Sequence, residues 1–138
     1  MKVAVICLGV IAILYWLGTT PSQSIDSQSS SLDYSSAITV SATGLQMDYK
    51  ENTIAADEKY KNKAIQVSGE IKEVNTNAFD EGVIVLDAAD EYSLPQFTLL
   101  SSEKSKAAGL LKGQFVTLLC TGAGDVVKTP MVNNCTIK

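Results

Sequence analysis

Apolar and polar residues are distributed in four distinct ways along the chain. Val3 to Gly18 (VAVICLGVIAILYWLG) is an uninterrupted apolar run, preceded only by Met1 and Lys2. From Thr19 to about Ser36 apolar groups almost vanish among serines. Leu45, Tyr49, Ala56 and Tyr60 then recur at steps of four, seven and four, the spacing of one helical face. From Ile65 the period drops to two. Ile65, Val67, Gly69 and Ile71 alternate with Gln66, Ser68, Glu70 and Lys72, as in a strand with one buried and one solvated face.

Each pattern predicts an element. Asn52 falls on the apolar helical stripe, where a continuous helix would bury it. Two short helices avoid this, with Asn52 or Thr53 as N-cap of the second. Asp57 and Glu58 come early in that helix and Lys59, Lys61 and Lys63 late, the order its dipole favours. In the first strand Val74 is one residue out of step, which predicts a bulge near Lys72–Glu73, and Gly69 suits a sharply coiled strand at a barrel corner. A loop from Asn75 to Gly82 leads to a second strand, Val83–Leu86. After a polar turn, Pro95 opens a third, Gln96–Leu100. Ser101 or Ser102 caps a predicted helix to about Lys112, with Ala107, Ala108, Leu110 and Leu111 as its apolar face. The fourth strand is Gln114–Gly122, with Phe115 opposite in phase to Val116, Leu118 and Cys120. A loop from Gly122 to Pro130, including a turn at Gly122-Ala123-Gly124, precedes the fifth strand, Met131–Ile137. The fold class is mainly β with short helices. Its plan is a five-stranded OB-fold barrel, preceded by one or two short α-helices and carrying one helix between strands three and four.

The leading segments set the compartment. Sixteen residues make about 24 Å of helix against a hydrocarbon core of about 30 Å, suiting a signal-peptide core or a short anchor. No small-x-small pattern precedes Thr19-Thr20-Pro21, and Tyr15 and Trp16 have the character of interfacial anchors. The favoured expectation is an uncleaved anchor in a bacterial inner membrane, with the domain facing the periplasm. The alternative is a secreted or periplasmic protein after signal cleavage. Cys7 lies inside the apolar run, which leaves no cysteine placed for lipid attachment. Residues 1–18 are thus read as anchor or signal, 19–37 as a serine-rich flexible linker, and 38–138 as the folded domain.

Composition then narrows the chemistry. The eleven basic residues are all lysine, against fifteen acids, for a net charge of −4 and a pI near 4.7. Nucleic-acid affinity rests on phosphate neutralisation, so this balance argues against nucleic acid as partner. Cys120 and Cys135 are the only cysteines after the apolar run, and in an exported chain they predict a disulfide. A zinc site is the rival, but there is no histidine and no third cysteine nearby to complete it. Without histidine, Ser-His and Cys-His catalysis is excluded. The acid pairs Asp57/Glu58, Asp80/Glu81 and Asp90/Glu91 read as solvated surface, and Asp87, Asp90 and Glu91 as a calcium alternative lacking the EF-hand spacing. The expectation is a non-enzyme with no cofactor and no metal.

Asn52–Asp57, Lys59-Tyr60-Lys61, Lys63 and Val67-Ser68-Gly69 together resemble the start of the tRNA-anticodon-like (tRNA_anti-like) family of bacterial exported OB-fold proteins. Leu111-Lys112-Gly113-Gln114-Phe115-Val116 and Cys135 resemble its second half, so the resemblance spans about Ser41 to Lys138. Many members look like lipoproteins, from which this chain departs. The resemblance implies the fold and transfers no catalytic residue.

OB-folds bind ligands on the face of strands two and three, framed by the first–second and fourth–fifth loops. The candidate loop residues are Asn75, Asn77 and Phe79 in one, and Asp125 and Lys128 in the other; Tyr92 and Phe97 would add an aromatic face. The competing reading folds Phe79 and Phe97 into the barrel end. An exposed Phe79 would anchor a partner protein or glycan. The function expected is a non-enzymatic, membrane-anchored or exported module recognising an envelope protein or glycan. The alternatives are a single-stranded nucleic-acid-binding OB-fold and a prophage-type envelope protein that excludes superinfecting phages.

Overall fold

The computed structural model describes residues 34–138, which belong to one compact unit. The apolar run and most of the serine-rich stretch, with the anchor, signal and linker readings placed on them, lie outside the described residues. After a 3-10 turn, β1 (Ile38–Ser41) leads into α1 (Ala42–Glu51) and α2 (Thr53–Tyr60). The barrel strands are β2 (Ala64–Thr76), β3 (Gly82–Leu86), β4 (Gln96–Leu99), β5 (Phe115–Val126) and β6 (Thr129–Ile137). A 3-10 turn at Ser101–Glu103 and the single-turn helix α3 (Lys104–Ala107) join β4 to β5.

β2 pairs antiparallel with β3, β3 with β4, β6 with β5 and β5 with β2, while β4 and β6 run parallel. This closes a five-stranded barrel with OB-fold connectivity. The long β2 makes closure possible, because Ala64–Glu70 pair with β5 and Ile71–Thr76 with β3. The register slips between Ile71 and Glu73, at the bulge that Val74's phase predicts. Gly69 has a further cause: a Cβ there would lie 3.0 Å from the Cβ of Ala42, so glycine lets α1 start against the strand.

Asn52 does separate the two helices. Its side chain accepts from the backbone N–H groups of Ile54 and Ala55, capping α2, and Ser41 caps α1 through Gly44 N–H. Leu45, Tyr49, Ala56 and Tyr60 are all buried and join the barrel core beside Ile65, Ile84 and Phe97.

Four sequence expectations change. β1 was unforeseen, since four residues paired parallel to β2 carry too little periodicity to declare themselves. The helix before the fourth strand stops at Ala107 rather than Lys112. Gly109 and Leu110 N–H groups close tight turns onto Lys106 and Ala107 carbonyls, and Leu111 is exposed. Most of the expected loop from Gly122 to Pro130 is strand, because β5 and β6 continue to a two-residue hairpin at Val127-Lys128. Both residues have positive φ (50° and 63°), the backbone of a type I′ turn. Gly122-Ala123-Gly124 is therefore no turn. Gly122 lies where β5 meets the end of α2, with Gly122 N–H donating to Lys63 O and Asn62 N–H to Gly122 O. The Cys120–Cys135 disulfide is formed, joining β5 to β6 inside the core.

Candidate functional site

The densest group of reactive side chains lies between α1 and α2, and it is spent on the fold. Tyr60 donates its hydroxyl to Asp48 at 2.5 Å, and Tyr49 donates to Asp57 at 3.1 Å. Each helix thus supplies one tyrosine and one aspartate, crossed over the buried ring pair, whose centroids are 6.2 Å apart. The Tyr60 hydroxyl, with Lys59, holds the Asp48 carboxyl below the usual aspartate range; burial, reinforced by Asp57, pushes the Tyr49 hydroxyl well up. A cleft of about 530 Å³ opens beside this pair; of its polar groups, Asp48, Asn52 and Lys59 are bonded within the helices, and exposed Glu51 has no side-chain partner among the described residues.

The acids proposed as a calcium site diverge. Asp90 pairs with Lys50 and caps Tyr92 N–H, Glu91 faces Lys72 at 3.9 Å, and Asp87 accepts from Ala88 N–H. Among the described residues no group of three or more metal-ligating side chains forms. Their segment is held against α1 by the fully buried Gln46. Its amide donates to Asp90 O and Ser93 O, both at 2.8 Å, and accepts from Asp90 N–H.

The barrel's outer face over β3 and β4 has a different character. Residues paired directly across a sheet share a face. Val85 lies between Glu73 and Gln96, and Val83 between Asn75 and Thr98, so this face presents Glu73, Asn75, Gln96 and Thr98 around two valines. Ile84, Leu86 and Phe97 point the other way, into the core. Phe97 is fully buried, so the aromatic face expected from it does not exist.

At β6 the face gains two amides. Phe97 pairs with Val132 and Leu99 with Cys135, so β6 spends three steps where β4 spends two. Against β5 the count is the same, from Leu119–Thr136 to Thr121–Asn133. The extra residue is a bulge at Asn133-Asn134, with Asn134 at φ 54°, a left-handed value that asparagine tolerates better than most residues. In a regular strand one of two neighbours would turn inward; here both side chains are exposed. Cys135 follows at once, so the disulfide holds the bulge in place. Asn133, Asn134, Thr98, Ser101, Leu100 and Glu81 line a cleft of about 340 Å³.

The candidate residues divide between the two ends of the barrel. The strand directions place the β2–β3 loop with α3, and the β5–β6 hairpin with the β3–β4 connection and α1. At the α3 end, the Asn77 carboxamide accepts from Phe79 and Glu81 N–H groups, and Lys104 pairs with Asp80. This five-residue loop is braced at its base, and Phe79 stands 83% exposed at its tip. Asn75 lies on the adjoining face. At the other end, the Asp125 carboxylate accepts from Lys128 N–H, the Lys128 ammonium turns back to Lys50 O at 3.4 Å, and Tyr92 is fully exposed. Asn75, Asn77 and Phe79 therefore share the cleft's end of the barrel without lining it, while Asp125, Lys128 and Tyr92 lie at the other end. Gln96, Thr98, Asn133 and Asn134 escaped the sequence reading. The consecutive asparagines in a strand were the one available signal, since asparagine favours positions that break regular pairing.

The fold and these positions can be set beside known proteins. The family model described as tRNA_anti-like matches residues 1–136, nearly the whole chain. The chain belongs to the tRNA_anti-like family. The match extends beyond the Ser41–Lys138 span on which the resemblance was first seen, into the leading apolar run. No curated protein matches the chain. Among solved structures, this tRNA_anti-like chain is similar to a "putative nucleic acid-binding lipoprotein" from Klebsiella pneumoniae subsp. pneumoniae. The TM-score is 0.59 at 17% identity, over 75% of this chain and 93% of that one, which speaks to the shared fold.

Proposed function

We propose that this tRNA_anti-like protein is a non-enzymatic binding module of the bacterial envelope, recognising an envelope component through the β3–β4–β6 face and the β2–β3 loop. The observation that carries the reading is the row Gln96, Thr98, Asn133 and Asn134. These side chains have no hydrogen-bond partner among the described residues, and Thr98, Asn133 and Asn134 share a cleft with Glu81, of the braced loop that carries the exposed Phe79. Polar groups left unpaired at a concave face cost the fold nothing in water and are available to a ligand. Export is supported by the apolar leading run, the Cys120–Cys135 disulfide and the lipoprotein description of the similar Klebsiella structure.

Cross-linking in intact envelopes, followed by capture of the full chain, tests this. Phe79→Ala and Asn133→Ala should remove the captured component, and Lys128→Ala, at the other end of the barrel, should retain it. Identical capture by all three would reject this face. Single-stranded nucleic acid is the second reading, favoured by the description of the Klebsiella structure. The face offers no lysine and, with Phe97 buried, no aromatic platform of its own. Salt-dependent binding of an oligothymidine would establish that reading instead.

A further inference from the structure

We infer that the cleft between the β6 bulge and the β2–β3 loop takes an uncharged, hydroxyl-rich glycan; this rests on the domain being a binding module and names its ligand class. The charges at this end are committed: Lys104 to Asp80, and Glu81 to the Asn77 amide at 3.2 Å. Anionic ligands such as nucleic acid or acidic peptide would find no free cation lining the cleft to replace their counterions.

What the cleft does offer is amide and hydroxyl groups, on Asn133, Asn134, Thr98 and Ser101. A carboxamide donates and accepts at once, and a hydroxyl does the same, which matches the dual character of each sugar hydroxyl. Leu100, 38% exposed, gives the cleft one apolar wall, and Phe79 stands on the loop that contributes Glu81. An apolar wall beside convergent polar groups suits a sugar, whose C–H face is apolar and whose edge is polar. The volume, about 340 Å³, falls at the lower end of the range for small-ligand sites, roughly 300–1,000 Å³.

The backbone favours the same conclusion. The bulge spends a positive φ at Asn134 to send two consecutive amides outward, and the neighbouring disulfide keeps that geometry. A bulge needed only to bend the strand would not require an amide on both residues.

Titration of the isotopically labelled full chain, in a detergent without a sugar headgroup, tests the inference by amide-resonance shifts. The probes are N-acetylglucosamine tetramer, maltotetraose and an oligothymidine, each to about 10 mM. The expected result is saturable shifts at Thr98, Ser101, Asn133 and Asn134 with at least one oligosaccharide. Asn133→Ala and Phe79→Ala should each weaken binding at least about fivefold, and Lys128→Ala should not. Shifts at these residues with oligothymidine alone would overturn the glycan assignment, as would no shift with either oligosaccharide. In the latter case, envelope cross-linking still lost in Phe79→Ala would leave the binding module standing with a protein ligand. Loss of both signals would remove the binding module as well.

Discussion

Gly122→Ala should be among the most destabilising single-methyl additions in this domain. An ideal Cβ on Gly122 would lie 2.1 Å from the carbonyl oxygen of Tyr60 and 2.7 Å from its carbon. Carbon and oxygen approach to about 3.3 Å at closest, so the end of α2 and β5 must separate by about 1 Å. The obstacle is backbone at the helix end, not a flexible side chain that could swing away. The two hydrogen bonds at this junction, Asn62 N–H to Gly122 O at 2.8 Å and Gly122 N–H to Lys63 O at 3.0 Å, would be stretched past bonding distance unless the chain rearranges. Overpacking costs about 1–3 kcal/mol and each weakened bond up to about 1 kcal/mol, which together give roughly 2–5 kcal/mol. Equilibrium unfolding in urea should show this as a lower midpoint at unchanged slope. Gly109→Ala is the control, because a Cβ there meets nothing closer than 3.8 Å. A Gly122→Ala variant within about 0.5 kcal/mol of the parent would refute the argument that α2 is seated on this glycine.

The disulfide should hold more stability than any single hydrogen bond. With a sequence separation of 15, its removal by Cys120→Ala with Cys135→Ala is expected to cost about 3 kcal/mol, read from the same unfolding assay. Acid should weaken the domain. Asp48, Asp90 and Glu103 are held below their ordinary values, first by hydrogen bonds from Tyr60, Lys50 and Lys106 respectively, so their folded pKa values lie under the unfolded ones. Their contribution is complete above about pH 5 and is lost as pH falls through the folded values; Tyr60→Phe should raise the Asp48 value and cost about 1 kcal/mol at neutral pH, by carboxyl NMR titration and urea unfolding. Tyr49 runs the other way. Its value is raised, so its contribution is full below about pH 10 and lost as pH rises beyond, visible as a late tyrosinate absorbance step that Tyr49→Phe abolishes. At the hairpin, Val127→Asn with Lys128→Gly supplies the residues a type I′ turn favours and should raise stability by about 1 kcal/mol.

What the sequence disclosed depended on how far each interaction reaches along the chain. The period-two run from Ile65, the phase break at Val74 and the helix stripe through Tyr49 and Tyr60 are local patterns, and each reappears in the fold. The asparagine between two helices was legible because capping is local as well. Gly122 was misread as a turn because its role is set by Tyr60, sixty-two positions earlier, and a glycine chosen for close approach looks the same as one chosen for φ. Phe97 was left between a binding-face and a barrel-interior reading for a related reason. Its neighbour Pro95 blurs the start of β4, and with only four residues the strand's phase could not separate inside from outside. The bulge at Asn133-Asn134 left only the paired asparagines as a sequence signal, since it exists as a mismatch between the counts on three strands.

The two ends of the barrel use polar groups in opposite ways, and this bears on where a ligand belongs. At the α1–α2 end a set of buried and half-buried polar groups is answered from within: Asp48 by Tyr60, Asp57 by Tyr49, Asp90 by Lys50, and Gln46 by three backbone groups, while outward-facing Glu51, Glu58 and Lys61 lack a side-chain partner among the described residues. A ligand docking there would have to displace bonds that hold the helices to the barrel, and would lose about as much as it gained. Along β4 and β6, the side chains of Gln96, Thr98, Asn133 and Asn134 have no hydrogen-bond partner among the described residues, and the backbone beneath them is fixed by the barrel and the disulfide. Ligand bonds made there replace water bonds without unmaking the fold, and the groups are ordered before the ligand arrives. A residue count ranks the acid- and lysine-rich helices as the reactive region. Counting which buried groups are already committed reverses that order, and supports the proposed recognition on the quiet, amide-bearing side of the barrel.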